Sequence, residues 1–417
     1  MVLTRGTSLW SGQARAAGFA IGLIASGSAA AQEARPAFSI QELPRPGYEP
    51  ITHSLGPASV EISIDTQLSY DSNIYATRSN EVDDFVLAAR PQLSVGLSGA
   101  RASARGDFYV DARRFLDNDI ENATTFGGAL SGKMMVGPRA NIRTSARFDR
   151  AVESRSDPEA RAPIFARPRR SNVYSGDLAF DTGGSRVSLL VNVGADRVDF
   201  RARADDDRDQ TTLRGSLRLG VLVQSSLTMF TEVFATKRDF DTAVDISGVN
   251  RDAMTYGAQV GLSRELTGRL RGRLGAGVFR YDPEDSRLQR FTGLGFNGAL
   301  YWSPHPRTVV SADLFRGDVA TVRSGASGRT DTRLSLRVNQ EVRHNLLLSV
   351  GVAWTRNEYR GSANGRRDTY SGHVELERLL NRRFSLFGAA TASKRSAVLP
   401  LDEFSKYRFT IGVRARI

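Results

Sequence analysis

The chain has no cysteine, only four histidines and only three tryptophans among its 417 residues. Without thiols there is no disulfide framework, no cysteine-ligated zinc and no thiol nucleophile. His53, His305, His344 and His373 show no H-E-x-x-H spacing, so a histidine metal site has little to stand on. Beyond the first thirty residues no run is long and apolar enough for a spanning helix. Acid is scarcer than base, 45 residues against 57, which gives a net charge of +12. With 40% hydrophobic residues and 24% charged, the composition suits a soluble protein. It equally suits a membrane barrel, whose strands give only every second residue to lipid.

The N-terminus narrows the choice. Arg5 and Arg15 precede a short apolar run, Ala16 to Ile24, then small residues and an A-x-A site at Ala29 to Ala31. This is the layout of a cleaved secretory signal, residues 1–31, with the mature chain starting near Gln32. Losing Arg5 and Arg15 lowers the charge from +12 to +10. Export removes nucleic acid as a natural partner, so the basic balance is read as electrostatics toward anionic lipids or solutes. Residues 32–57 carry five prolines and no sustained period, the pattern of an extended periplasmic lead-in.

From residue 58 to 417 the pattern is alternation. The segment "YRFTIGVRARI" at the end places Tyr407, Phe409, Ile411, Val413, Ala415 and Ile417 on one face and Arg408, Thr410, Gly412, Arg414 and Arg416 on the other. "TRLSLRVNQE" does the same with Leu334, Leu336 and Val338 against Arg333, Ser335 and Arg337. Turn residues fall near Gly99, Pro138, Gly183, Ser225, Gly268, Pro304, His344 and Asn381, and longer polar stretches such as "ESRSDPEARAPIFARPRR" and "RARADDDRDQ" lie between them. Short turns on one side and long loops on the other predict an all-β fold, a transmembrane antiparallel up-and-down barrel of about 18 strands. An even count puts both termini on the short-turn, periplasmic side of the outer membrane. A closed ring also leaves no free edge in lipid. A sandwich would not need such regular hairpins, and no per-blade motif of a propeller is present.

Catalytic constellations are sparse, and no enzyme, cofactor or metal is expected. Ser371, His373 and Glu375 lie two apart on one strand, about 6.5–7 Å between neighbours by the strand rise, too far for a nucleophile and its base. Asp205, Asp206, Asp207 and Asp209 lack the glycine and glutamate spacing of a calcium loop and read as a solvated loop tip. Arginine on inward positions is the more informative feature: Arg105, Arg113, Arg214, Arg218, Arg271, Arg273, Arg333, Arg337, Arg408 and Arg414 are the candidate lumen lining. Either they pair with inward acids and brace the wall, or they leave a positive field that favours anions. Tyr70, Phe108, Tyr256, Trp302, Trp354 and Tyr407 fit interfacial girdles. Thr410, Gly412, Ala415 and Ile417 resemble the C-terminal signal read by the barrel-assembly machinery, with Ile417 where Phe or Trp is usual.

"YDSNIYAT", Tyr70 to Thr77, with Asn80, Asp83 and Asp84 after it, and "RAVESRSDPEA", Arg150 to Ala160, resemble the putative β-barrel porin-2 family. The resemblance implies an outer-membrane pore. It also implies an association with exopolysaccharide export, the barrel conducting the polymer outward with periplasmic export components as partners. Outer-membrane lipid and lipopolysaccharide would surround it. The alternative expectation is a passive diffusion porin for small, preferentially anionic solutes, narrowed by an inward loop and paired opposite charges. Short loops dominate, which favours the conduit.

Overall fold

A computed structural model describes residue 40 and residues 45–267, 269–361 and 365–417, the side chains of 265–267 excepted. The expected signal segment and the turn at Gly268 lie outside the described residues. A three-residue strand, β1 (His53–Leu55), pairs only with the start of the next. Then follow β2 (Ala58–Asp71), β3 (Asp84–Ser98), β4 (Ala102–Phe115), β5 (Ala123–Gly137), β6 (Ala140–Val152), β7 (Arg170–Gly183), β8 (Val187–Phe200), β9 (Gln210–Gln224) and β10 (Leu227–Phe240). The second half holds β11 (Ala253–Thr267), β12 (Leu270–Pro283), β13 (Phe291–His305), β14 (Thr308–Val319), β15 (Ala326–Arg343), β16 (Leu346–Gly361), β17 (Gly365–Leu379), β18 (Phe384–Ala397) and β19 (Phe404–Arg416). Every neighbouring pair from β2 to β19 is antiparallel, and β19 pairs back onto β2. The result is a closed barrel of 18 strands with β1 outside the ring.

The links alternate in length. Those at 99–101, 138–139, 184–186, 225–226, 306–307, 344–345 and 380–383 are short, and the longest on the opposite rim is 153–169. Two expected turn residues fall inside strands: Gly183 closes β7 and Pro304 lies in β13, two residues before its turn. Because both β2 starts and β19 ends at the short-turn rim, the chain enters and leaves the ring on that side.

Alternation along each strand gives the wall two unlike faces. Outside, Leu217, Val233, Val260, Leu274, Leu294, Leu334, Val352, Val374 and Ile411 are all exposed, an apolar belt that runs around the ring. Inside, the sequence offers glycines opposite aromatic rings. A Cβ at Gly261 would stand 2.3 Å from the Phe230 ring, and one at Gly412 2.3 Å from Phe387. Each ring therefore lies flat in the gap left by a glycine on the adjoining strand, which covers its backbone and keeps the bore open. The Arg218 guanidinium stacks 4.9 Å above Phe230.

The closing seam is charged. Arg414 makes two bonds to Asp65 of β2, at 2.6 and 2.8 Å, and a third to Glu377 of β17 at 2.7 Å. Arg408 reaches Asp71 at 2.5 Å. Thr410 and Ser69 share a hydroxyl contact of 2.9 Å, and Ile417 N donates to the Ile62 carbonyl at 3.0 Å.

Candidate functional site: the inward loop

Residues 153–169, between β6 and β7, turn into the bore and reach the far wall. The ring has 18 strands, so the point opposite the β6/β7 link lies between β15 and β16. Those are the strands the loop meets. Glu159 accepts from Arg329 Nη1 of β15 at 2.7 Å and from the Tyr359 hydroxyl of β16 at 2.9 Å. It also accepts from Thr321 Oγ1 at 3.1 Å and Val322 N at 3.1 Å, in the link after β14. Arg367 of β17 donates to the Pro158 carbonyl, and Arg395 of β18 to the Ser156 carbonyl at 2.5 Å. Buried irregular backbone must be hydrogen-bonded, and these strand arginines supply the donors.

The near side of the loop is held equally. Glu153 meets Arg208 at 2.5 Å, Arg169 meets Asp205 at 2.7 Å, and Arg161 meets Asp207 at 2.8 Å. Arg161 also donates to the Val322 carbonyl at 2.6 Å. Arg155 meets Glu121, in the link after β4, at 2.5 Å. The acidic tip is thus not fully solvated: Asp205, Asp207 and Asp209 are buried, because Arg161, Arg169 and Arg208 neutralise the first two and the Phe200 amide donates to Asp209 at 2.6 Å. Burial and the nearby Asp199, Asp206 and Asp241 push the Asp209 carboxyl up to about 6. Asp206 alone of the four stays exposed.

Asp157 sits at the middle of the loop and is 6% exposed. It accepts from the Glu159 amide at 2.8 Å, but no arginine touches it directly among the described residues. Burial is the main reason its carboxyl is pushed up to about 7, and the charges of Glu153 and Glu159 add to it against the pull of Arg329.

The octapeptide "YDSNIYAT" has a structural role here. Asn73 folds it by accepting from Thr77 N at 3.0 Å while its Nδ2 donates to the carbonyls of Thr77 at 2.7 Å and Ser405 at 3.0 Å. Ala76 and Asn80 take positive φ values of 52° and 55° in this fold. The turn presents Tyr75, whose ring lies 5.7 Å from the Arg155 guanidinium and whose hydroxyl donates to Asn118 at 3.3 Å. The two sequence motifs therefore meet in space.

All ten candidate arginines lie on the face opposite the apolar belt. Arg105 pairs with Asp107 at 2.9 Å, Arg113 with Asp111 at 3.0 Å, Arg218 with Glu232 at 2.6 Å and Arg333 with Asp331 at 2.8 Å. Arg214 holds both Asp177 and Asp196 at 3.0 Å. With Arg408 and Arg414 at the seam, at least seven of the ten have a carboxylate partner among the described residues. Arg273 is buried, Arg271 is half-buried, and the more exposed Arg337 interacts through space with Asp313 and His373. His373 lies flat over Gly351, where a Cβ would stand 2.1 Å from the ring. No cluster of His, Asp or Glu fit to hold a metal ion occurs among the described residues.

At the short-turn mouth, the lead-in does not simply trail away. Arg45 enters the ring and meets Glu341 of β15 at 3.2 Å, with side chains 7% and 3% exposed, and it also donates to the Ile40 carbonyl. Arg382 donates to the Glu49 carbonyl at 3.3 Å.

A closed antiparallel barrel with a polar, charge-paired bore and an inward loop is a porin-like architecture. The chain belongs to the family described as Putative beta-barrel porin 2, whose profile matches residues 45–417. A comparison with curated proteins finds no match. Among solved structures, the chain is similar to OpdL of Pseudomonas aeruginosa, at 10% identity and a TM-score of 0.43, over 87% of this chain and 100% of that one. It is similar also to the FrpB iron transporter of Neisseria meningitidis, at 9% identity and 0.43, over 86% and 81% of the two chains. The ferric enterobactin receptor PfeA of Pseudomonas aeruginosa, as the R480A_Q482A mutant, aligns at 8% identity and 0.41, over 86% and 80%.

Proposed function

We propose that this protein is an outer-membrane channel for small polar solutes, in which residues 153–169 set the size limit. The single observation that carries this reading is the loop itself, fixed across the bore by Glu159, Arg329 and Tyr359. The exposed apolar belt supports insertion in a bilayer, since a continuous apolar surface of that extent has no stable place in water. Residues 1–31 then serve as the cleaved signal, both termini face the periplasm, and the longer links face outward. The lumen arginines are mostly paired, which supports selection by size over a strong preference for anions.

Removing residues 156–163 should raise single-channel conductance and admit larger sugars in liposome swelling, with the heat-modifiable mobility of the barrel unchanged. Equal conductance and an equal size limit in the shortened protein would overturn this reading. A cysteine at Ile246, which is 71% exposed, should react with an impermeant label on intact cells, and one at Asn381 should not.

The width of an 18-strand ring favours a second reading, a conduit for an exported surface polysaccharide, with the loop displaced during passage. Loss of surface polysaccharide on deleting the gene, with small-sugar uptake intact, would move the assignment there.

A further inference from the structure

The inner wall between β7 and β14 holds a hollow of about 120 Å³. Two half-buried rings, Phe234 and Phe315, line it. Phe234 lies in the gap left by Gly257, where a Cβ would stand 2.6 Å from the ring. The ring therefore stays low on the wall instead of filling the space above it.

Three side chains on this hollow are held at one atom and empty at another. Asn297 donates through Nδ2 to Gln259, while its Oδ1 is buried with no hydrogen-bond partner among the described residues. Asp318 uses Oδ2 to accept from Arg238 at 2.5 Å and Thr255 at 2.7 Å, and its Oδ1 is likewise unpartnered. Arg214 spends its terminal nitrogen on Asp177 and Asp196, leaving Nε without an acceptor. A buried polar atom without a partner is costly, so these three atoms point to a missing partner.

The chemistry of that partner follows from charge and shape. Arg238 already engages Asp318, Arg218 engages Glu232, and Arg214 engages both Asp177 and Asp196, so each of these carboxylates is held by an arginine. A free anion would meet two orphan acceptors, and a cation would find its carboxylate occupied. An uncharged ring with hydroxyls at its edge and C–H groups on its face suits all the groups. Its hydroxyls donate to Asn297 Oδ1 and Asp318 Oδ1 and accept from Arg214 Nε, and its face lies against Phe234 or Phe315. We propose that this hollow is a binding subsite for one ring of a neutral sugar, which rests on the channel reading only in making sugars the solute class.

Isothermal titration of the purified full chain in detergent tests the subsite without relying on conduction. Glucose and maltose should bind saturably, and the anion gluconate should bind more weakly. Asn297→Leu and Phe315→Ala should each weaken binding about tenfold, the loss expected for one hydrogen bond or one ring contact. No saturable binding, indifference of both variants, or tighter binding of gluconate would overturn the proposal. Should either variant fail to fold, wild-type protein that conducts in a planar bilayer must still show maltose-dependent blocking noise, and a conducting channel without it counts equally against the subsite. Sugar binding without any conductance sinks the channel reading and leaves the subsite standing.

Discussion

Glu159 and Arg329 meet at 2.7 Å with side chains 4% and 2% exposed, although 170 residues of chain separate them and their elements stand on opposite sides of the ring. The pair is buried, so removing one partner leaves the other charge without compensation in a low-dielectric site. Arg329 retains Asp331 at 3.0 Å, which limits the damage on its own side.

Glu159→Ala should therefore weaken the attachment of the loop by about 1.5–3 kcal/mol, the loss of hydrogen bonds to a charged group. Larger and noisier channel currents are the expected readout, with barrel stability nearly unchanged. Currents identical to wild type would mean that the remaining contacts hold the loop without Glu159.

Asp157 sets a pH dependence. Its folded-state value is about 7, above the usual carboxylate value of 3.8. The packed loop therefore binds this proton more tightly than the released loop, and packing weakens as pH rises from about 4 through 7. The charges facing it are Glu153 and Glu159 on the loop, Arg208 in the link after β8, Arg329 on β15 and Arg395 on β18. Conductance should rise between pH 5 and about 8, and Asp157→Asn should flatten the profile at its low-pH level. A profile unchanged by that substitution would place the titration elsewhere.

The ion pair of Arg45 with Glu341 holds the lead-in across the short-turn mouth. Arg45→Glu should release it, seen as faster proteolysis of the N-terminal segment and increased conductance. Combining Arg45→Glu with Glu341→Arg should restore both. Recovery by neither measure would show that the segment is held by other contacts.

Leu336 and Arg337 are adjacent on β15 but face opposite sides of the wall. Leu336→Arg should cost about 2–4 kcal/mol at the bilayer midplane, measured by urea titration in detergent or lipid. Arg337→Ser should leave stability within about 0.5 kcal/mol and alter conductance instead. Equal losses would contradict the two-faced wall.

The wall was legible in the sequence because its signal is local. Leu334, Leu336 and Val338 alternate with Arg333, Ser335 and Arg337, and Gly99 and Pro138 punctuate the hairpins, so ring, faces and short rim follow from neighbours along the chain. The loop was legible in length but not in direction. "ESRSDPEARAPIFARPRR" is the longest polar stretch, yet whether Glu159 meets water or Arg329 depends on a partner that no sequence period encodes. The same limit explains Asp205 and Asp207: a run of acids reads as solvated unless Arg161 and Arg169 are known to fold over it. The inward aromatics escaped notice for another reason. Phe230 and Phe234 look like misplaced core residues until the facing glycines, Gly261 and Gly257, are brought alongside by register.

The seam gives the chain an order of events. Arg414 and Arg408 find their carboxylates, Asp65 and Asp71, on the first barrel strand, six residues apart on each side of the seam. Until β19 arrives, β2 keeps a row of unpaired amides and two buried-to-be acids facing open space. Closure is thus matched by charge as well as by backbone pairing, and a ring that joined β2 to a strand without such a pair of cations would bury acid without base. The last strand is a keyed latch, and the key is cut in arginine.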